Sequence, residues 1–198
     1  MAHKNKIKSL GFASKNLNGP NTVSDKKIQS LIKECKNYKI ESVLLTQYVS
    51  LDKLIEQIDF TKPKTISCSF HFSKAKLEII RNTFKRLRIG IAVNPENFNI
   101  SYLRSIKNIV NVIYYDLNVY KIKSIKKYSL KKNLDQINLI KELKIPIFIG
   151  GGINQNNVSK IINSVKPDGL DISRSLKNSK NVLSSKKLNS FLSQISVA

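Results

Sequence analysis

Short runs of apolar, often β-branched residues alternate along this chain with longer stretches in which apolar positions recur every three or four residues. The short runs at residues 7–13, 42–46, 65–70, 89–93, 111–116, 145–149 and 169–172 predict seven strands. They are nearly continuous in their apolar character, as expected of parallel strands covered on both faces. The longer stretches predict helices. One follows Ser24, a capping residue, and carries Ile28, Leu31, Ile32 and Cys35 on one face. A second follows Ser50 with Leu51, Leu54, Ile55 and Ile58, and a third follows Ser73 with Leu77, Ile80 and Phe84. "NLDQINLIKELK", "NQNNVSKIINSVK" and "SKKLNSFLSQI" obey the same spacing, and "NISYLRSIKN" from Asn99 is a shorter case.

Regular alternation of strand and helix implies parallel strands joined by crossover helices. Seven such units fit into 198 residues, and no G-x-G-x-x-G follows the first strand. Both points favour a (β/α) TIM-type barrel over a doubly wound sheet. We expect one domain spanning residues 1–198. A closed barrel of this type takes eight strands. Seven units are recognisable, and residues 117–132 form one long connection with no assigned element.

Composition narrows the class. Hydrophobic residues make up 41%, an ordinary globular share, and no apolar run has the length of a membrane span. The start of the chain has no apolar signal core. Two cysteines, Cys35 and Cys68, provide neither a disulfide framework nor metal-ligand spacing. These features lead us to expect a cytoplasmic protein without membrane partners and without a metal. The formal net charge is +22. Its lysines are spread over every segment, alongside abundant Asn and Ile, so composition accounts for the charge better than a nucleic-acid interface does. Salt-sensitive nucleic-acid binding is the minor reading.

One stretch asks for chemistry. In "PIFIGGGINQNN" a strand runs into Gly150, Gly151 and Gly152, three of only seven glycines in the chain. They fall at the C-terminal end of the strand, the end at which barrels keep their sites. Glycine admits positive φ and lets a ligand approach the backbone. We expect a helix to start near Asn154 and offer its N-terminus to an anion. The next strand ends in Ser173, Arg174 and Ser175, whose hydroxyls and guanidinium suit the same anion. A phosphate seat shared by the two strand ends is the functional reading. A tight strand-to-helix turn without ligand is the other.

The last fifty residues resemble the C-terminal part of phosphoribosylanthranilate isomerases. That family reads P-[apolar]-x-A-G-G-[LI]-N-x-x-N-V, then P-x-G-[VL]-D-V-S-S-G-V-E; this chain reads "IPIFIGGGINQNNV", then "PDGLDISRSLK". More loosely, "LGFASKNLNGPNTVS" resembles the family's second strand and loop, "ESVLLTQ" its third strand and "KTISCSFHFS" its fourth. "VIYYDLN" resembles the sixth, which carries a functional aspartate. The resemblance implies an aldose–ketose (Amadori) isomerisation of a phosphoribosyl amine in tryptophan biosynthesis, with no cofactor. An acid protonates the ribose ring oxygen, a base removes the C2′ proton, and the phosphate is held still. Carried over, Asp116 is the catalytic acid, Gly151, Gly152 and Ser173 line the phosphate, and Asp171 lies near the substrate. Asn21 stands where the family's S-P-R arginine would grip the anthranilate carboxylate.

The departures are specific. The family's K-[IV]-C-G strand supplies the cysteine base. If "KIKSLGFAS" is the family's second strand, the first βα unit has no counterpart; if it is the first, Lys8 or Ser9 falls near the cysteine position. Cys35 sits on an apolar helix face and Cys68 reads as a small buried hydrophobe. The G-G-T-G loop after the sixth strand is replaced by lysine-rich "VYKIKSIKKYSLKK", and Arg174, Ser175 and Lys177 replace Ser, Gly and Glu of the last motif. His71 reads either as a site base or as a hydrogen-bonded structural histidine. Asp116 reads either as the acid or as the cap of a turn. The resemblance thus supports an isomerase, with a non-catalytic sugar-phosphate-binding paralogue as the alternative. Its partner would be a small phosphorylated sugar, and its assembly a monomer or homodimer.

Overall fold

The computed structural model describes residues 7–19, 21–121, 124–127 and 130–195; the initial Met-Ala-His falls outside them. All seven expected strands form. They are β1 (Ser9–Ala13), β2 (Glu41–Thr46), β3 (Thr65–Cys68), β4 (Arg88–Val93), β5 (Val112–Asp116), β8 (Ile147–Gly150) and β9 (Gly169–Leu170). They are ordered β1-β2-β3-β4-β5-β8-β9 in one sheet. Pairing is parallel between β1 and β2, β2 and β3, β3 and β4, β5 and β8, and β8 and β9. Helices α1 (Asp25–Asn37), α2 (Leu51–Thr61), α3 (Lys74–Thr83), α4 (Ile100–Ile106), α5 (Leu130–Lys141), α6 (Val158–Val165) and α7 (Ser185–Ile195) alternate with them. This is the (β/α) TIM-type fold expected from the alternation.

Two differences from expectation matter. The connection 117–132 contains an antiparallel hairpin, β6 (Asn118–Lys121) and β7 (Ser124–Lys127). Its sequence has no Asn-Gly or Asp-Gly between the strands, which is the local signal by which hairpins are read. Helix α6 begins at Val158, four residues after the expected start, because Asn154–Asn157 form a turn of their own. No helix among the described residues is long and apolar enough to cross a membrane.

Packing divides the chain into two units, Met1–Ala92 with Arg104–Val112, and Val93–Leu103 with Ile113–Ala198. In the first unit the apolar faces of α1 and α2 are buried through Ile28, Ile32, Cys35, Leu54 and Ile58. Both helices start as their sequence indicates: Ser24 Oγ accepts from Lys27 N–H and Ser50 Oγ from Lys53 N–H. Arg81 of α3 donates to the carbonyls of Leu87 and Ile109 and to Asn111 Oδ1, tying the helix to its neighbouring strand ends. In the second unit, β5 and β8 are sealed by Ile137 and Ile140 of α5 and by Val158, Ile161 and Val165 of α6, all buried.

Candidate functional site

The site is built by strand register in the second unit. Tyr115 Oη reaches Asn133 Oδ1 (3.0 Å) and Gln136 Oε1 (2.6 Å) on α5, so this side chain points to the helix layer. Its neighbours Tyr114 and Asp116 therefore point to the opposite face. Tyr114 pairs with Phe148 and Asp116 with Gly150. Phe148 pairs in turn with Gly169, and Ile149 with Leu170, which puts Gly150 level with Asp171. Two rows result on one face of three strands. The lower row is Tyr114, Phe148 and Gly169; the upper row is Asp116, Gly150 and Asp171.

Packing explains the glycines. The Tyr114 and Phe148 rings meet edge to face, 5.7 Å apart at 77°. Phe148 also covers β9: a Cβ on Gly169 would lie 2.8 Å from its Cζ. In the upper row Gly150 lies under Asp171, whose Cβ and Cγ are 3.5 and 3.9 Å from where a Gly150 Cβ would stand. Gly151 has φ +91°, and a Cβ there would come within 2.1 Å of Asp116 Oδ1 and 2.6 Å of Leu117 N. Gly152, at φ +74°, faces Asn118 Nδ2. The bare backbone at 151 and 152 thus admits the end of β5, with its carboxylate and the turn that follows. Leu117 N–H donates to Gly150 O (3.0 Å) and Asn118 N–H to Asp116 Oδ1 (2.8 Å), so this turn is hydrogen-bonded into place.

The asparagines that follow lock the loop. Asn154 N–H donates to Asn157 Oδ1, and the side-chain amides of both residues donate to Gly152 O at 3.0 and 3.1 Å. Beyond β9, Ser173 precedes a 3-10 turn at Arg174–Leu176. Ser173 and Arg174 are exposed, while Ser175 Oγ is buried with no hydrogen-bond partner among the described residues. Ser175 also borders a cavity of about 280 Å³, with Asn154, Asn156, Lys187 and Phe191. Lys187 reaches it from α7 and donates to Lys177 O at 2.6 Å.

Electrostatics single out the two aspartates. Burial pushes the Asp116 carboxyl up to about 6; the nearby Asp171 carboxylate adds to this, while the Asn118 N–H and the Arg174 guanidinium oppose it. Asp171 is an exposed residue by surface area, yet protein atoms crowd around its carboxyl, and that desolvation pushes it up as well.

Of the residues expected from sequence, Asp116, Gly150, Gly151, Gly152 and Asp171 come together here, with Arg174 within electrostatic reach of Asp116. Ser173 and Ser175 flank Arg174 in the adjoining turn. Asn21 is an exposed turn residue of the first unit. His71 is half-buried, its Nε2 2.9 Å from Ala92 O, which fits the structural reading. Cys35 and Cys68 are both buried, and burial pushes the Cys68 thiol up to about 12, far from a reactive thiolate. Asn118, Asn157 and Lys187 escaped the sequence reading. The D-x-N spacing of Asp116 and Asn118 is the signal for the first, since Asp accepts from the N–H two residues on.

No family model matches the chain. Over 47 residues it is 49% identical to the N-(5'-phosphoribosyl)anthranilate isomerase of Methanococcus voltae, a match that spans 23% of this chain and 70% of that protein. The solved N-(5'-phosphoribosyl)anthranilate isomerase of Pyrococcus furiosus superposes with a TM-score of 0.75 at 19% identity, covering 99% of this chain and 92% of that one. A phosphoribosyl anthranilate isomerase in complex with reduced 1-(o-carboxyphenylamino)-1-deoxyribulose 5-phosphate superposes at 0.70 with 14% identity, over 98% and 90% of the two chains.

Proposed function

The chain belongs to the phosphoribosylanthranilate isomerase family, and from that premise we propose that it catalyses the aldose–ketose isomerisation of phosphoribosylanthranilate in tryptophan biosynthesis. The observation that carries the proposal is the setting of Asp116. It stands at the C-terminal end of β5 against two positive-φ glycines, with one oxygen held by Asn118 N–H and its carboxyl pushed up to about 6. A carboxyl titrating there is protonated in roughly a tenth of molecules at neutral pH and is a competent general acid. Asp116 would give its proton to the ribose ring oxygen as the ring opens. The backbone of Gly151 and Gly152 and the Ser173–Ser175 turn would hold the phosphate. A family relative has been solved with a phosphorylated ketose analogue, the kind of ligand this seat would take.

The test is the purified chain with freshly prepared phosphoribosylanthranilate, the ketose product being followed by chromatography. Turnover is expected, and Asp116→Asn should reduce kcat about 100-fold or more. Absence of turnover in the wild type would end the isomerase reading. One observation favours a second reading, a non-catalytic binder of sugar phosphates: Cys35 and Cys68 are both buried, so neither supplies the family's cysteine base. That reading predicts a higher Tm with ribose phosphates and no product.

A further inference from the structure

We propose that Asp171 is the base that removes the C2′ proton, so that this chain works with a carboxyl pair where its relatives use a cysteine and an aspartate. The inference rests on the isomerase reading above and adds the missing half of its chemistry.

Register carries it. Asp116, Gly150 and Asp171 occupy one row across three parallel strands and project on the same face. Alternate strands lie about 10 Å apart, and the residue between them is glycine. The Asp171 side chain leans over that glycine, its Cγ 3.9 Å from where a Gly150 Cβ would stand, and its carboxylate is within electrostatic reach of Asp116. Two carboxyls sharing one strand-end row are placed to work on one sugar, as the paired carboxyls of glycoside hydrolysis do at separations of about 5–9.5 Å. The row below, Tyr114 with Phe148, closes the floor with two aromatic rings. The other carboxylates of this unit are engaged or placed elsewhere: Glu96 pairs with Lys126, Asp168 accepts from Ile147 N–H at the opposite end of β8, and Asp135 and Glu142 belong to α5 and its C-terminal end. The burial that pushes Asp171 up from the usual carboxylate range also makes it a stronger base than a solvated aspartate.

The step balances. Asp116 gives its proton to the ring oxygen as the C1′–O4′ bond breaks, leaving an iminium between C1′ and the anthranilate nitrogen. The Asp171 carboxylate takes the C2′ proton. The C–H electron pair becomes the C1′=C2′ bond, and the iminium π pair moves to nitrogen. The resulting enol gives its O–H proton to Asp116 while C1′ takes the proton held by Asp171. The ketose forms and both carboxyls return to their starting states, with no external oxidant or reductant.

The experiment compares wild type, Asp171→Asn and Asp171→Ala on phosphoribosylanthranilate, with and without added formate. Asp171→Asn should lower kcat about 100-fold or more while KM changes little. Formate should restore part of the Asp171→Ala rate by supplying a carboxylate in the vacated space. Asp171→Asn turnover within about tenfold of wild type overturns the assignment and leaves the isomerase reading intact. Loss in Asp171→Ala without any formate rescue, and with a parallel rise in KM, also overturns it, since that is the pattern of a positioning residue. A wild type without turnover overturns both readings together.

Discussion

Two groups of polar side chains at strand ends behave in opposite ways. In the first unit, Gln57 of α2 donates to Ser14 Oγ (2.7 Å) and Asp25 Oδ1 (2.8 Å) and accepts from Thr46 Oγ1 (2.8 Å); Thr46 in turn accepts from Asn16 Nδ2 (2.9 Å). Donors and acceptors are matched in a closed circuit, and Ser14, Thr46 and Gln57 are almost wholly buried. In the second unit, Asp116 accepts one N–H from Asn118, Ser175 Oγ has no partner among the described residues, and two carboxyls on one row are both pushed up by burial. A satisfied network holds a shape. An unsatisfied one keeps binding capacity in reserve, which is the condition of a functional site. Both groups sit at strand C-termini, and the balance of hydrogen-bond donors and acceptors is what tells them apart.

Four substitutions probe the two groups, in order of falling effect. Gly151→Ala forces a methyl against Asp116 and Leu117 N at a φ of +91°. It should cost about 3 kcal/mol or more in urea unfolding, and a loss under about 1 kcal/mol would mean that the β5 end is not held there. Gln57→Leu should cost about 2–3 kcal/mol by leaving Ser14 and Thr46 with buried unmatched groups, and it should leave the pH dependence of turnover unchanged. If that pH profile moved, the closed network would be part of the site after all.

Asp116→Asn should instead stabilise the protein above neutral pH. The folded carboxyl titrates near 6 against an ordinary value of 3.8. Its contribution to stability is therefore full below about pH 4 and is lost as pH rises through 6, whereas asparagine has no charge to bury and still accepts from Asn118 N–H. Unfolding free energies from urea titrations should coincide near pH 3.5 and diverge to about 1–2 kcal/mol in favour of Asn by pH 8, the full shift being discounted for partial exposure. Equal stabilities at both pH values would show that Asp116 is not desolvated. The smallest effect belongs to Arg174→Gln. Removing that guanidinium takes away an influence that lowers Asp116, so the alkaline limb of the rate profile should move up by a few tenths of a pH unit. A downward movement would contradict the sign of that interaction.

Much of the fold could be read before any coordinates. The seven apolar runs lie on the seven sheet strands, and Ser24 and Ser50 cap the helices they precede. What escaped depends on contacts between distant residues or on weak turn chemistry. The hairpin of β6 and β7 lacks a turn signal, and the start of α6 was hidden because Asn154 caps a turn and looks like a helix cap. The glycine triplet was legible as an unusual strand end but not in its detail. Its bareness at 151 and 152 answers the crowding of Asp116 and Asn118, residues more than thirty positions earlier. The row Asp116–Gly150–Asp171 follows from strand register, and periodicity within one segment says nothing about how that segment aligns with the next.

Gly150 differs from its two neighbours in the triplet. Its φ is not in the left-handed region, and a methyl there would meet only ordinary contact distances, 3.4 Å or more, from Asp171. The backbone therefore does not require glycine at 150, and the position is open to engineering. Alanine there would rest against the Asp171 side chain, and serine or valine would press on it by graded steps. Position 150 is thus a natural size gauge, where a library of small side chains would sort sugar-phosphate substrates by bulk.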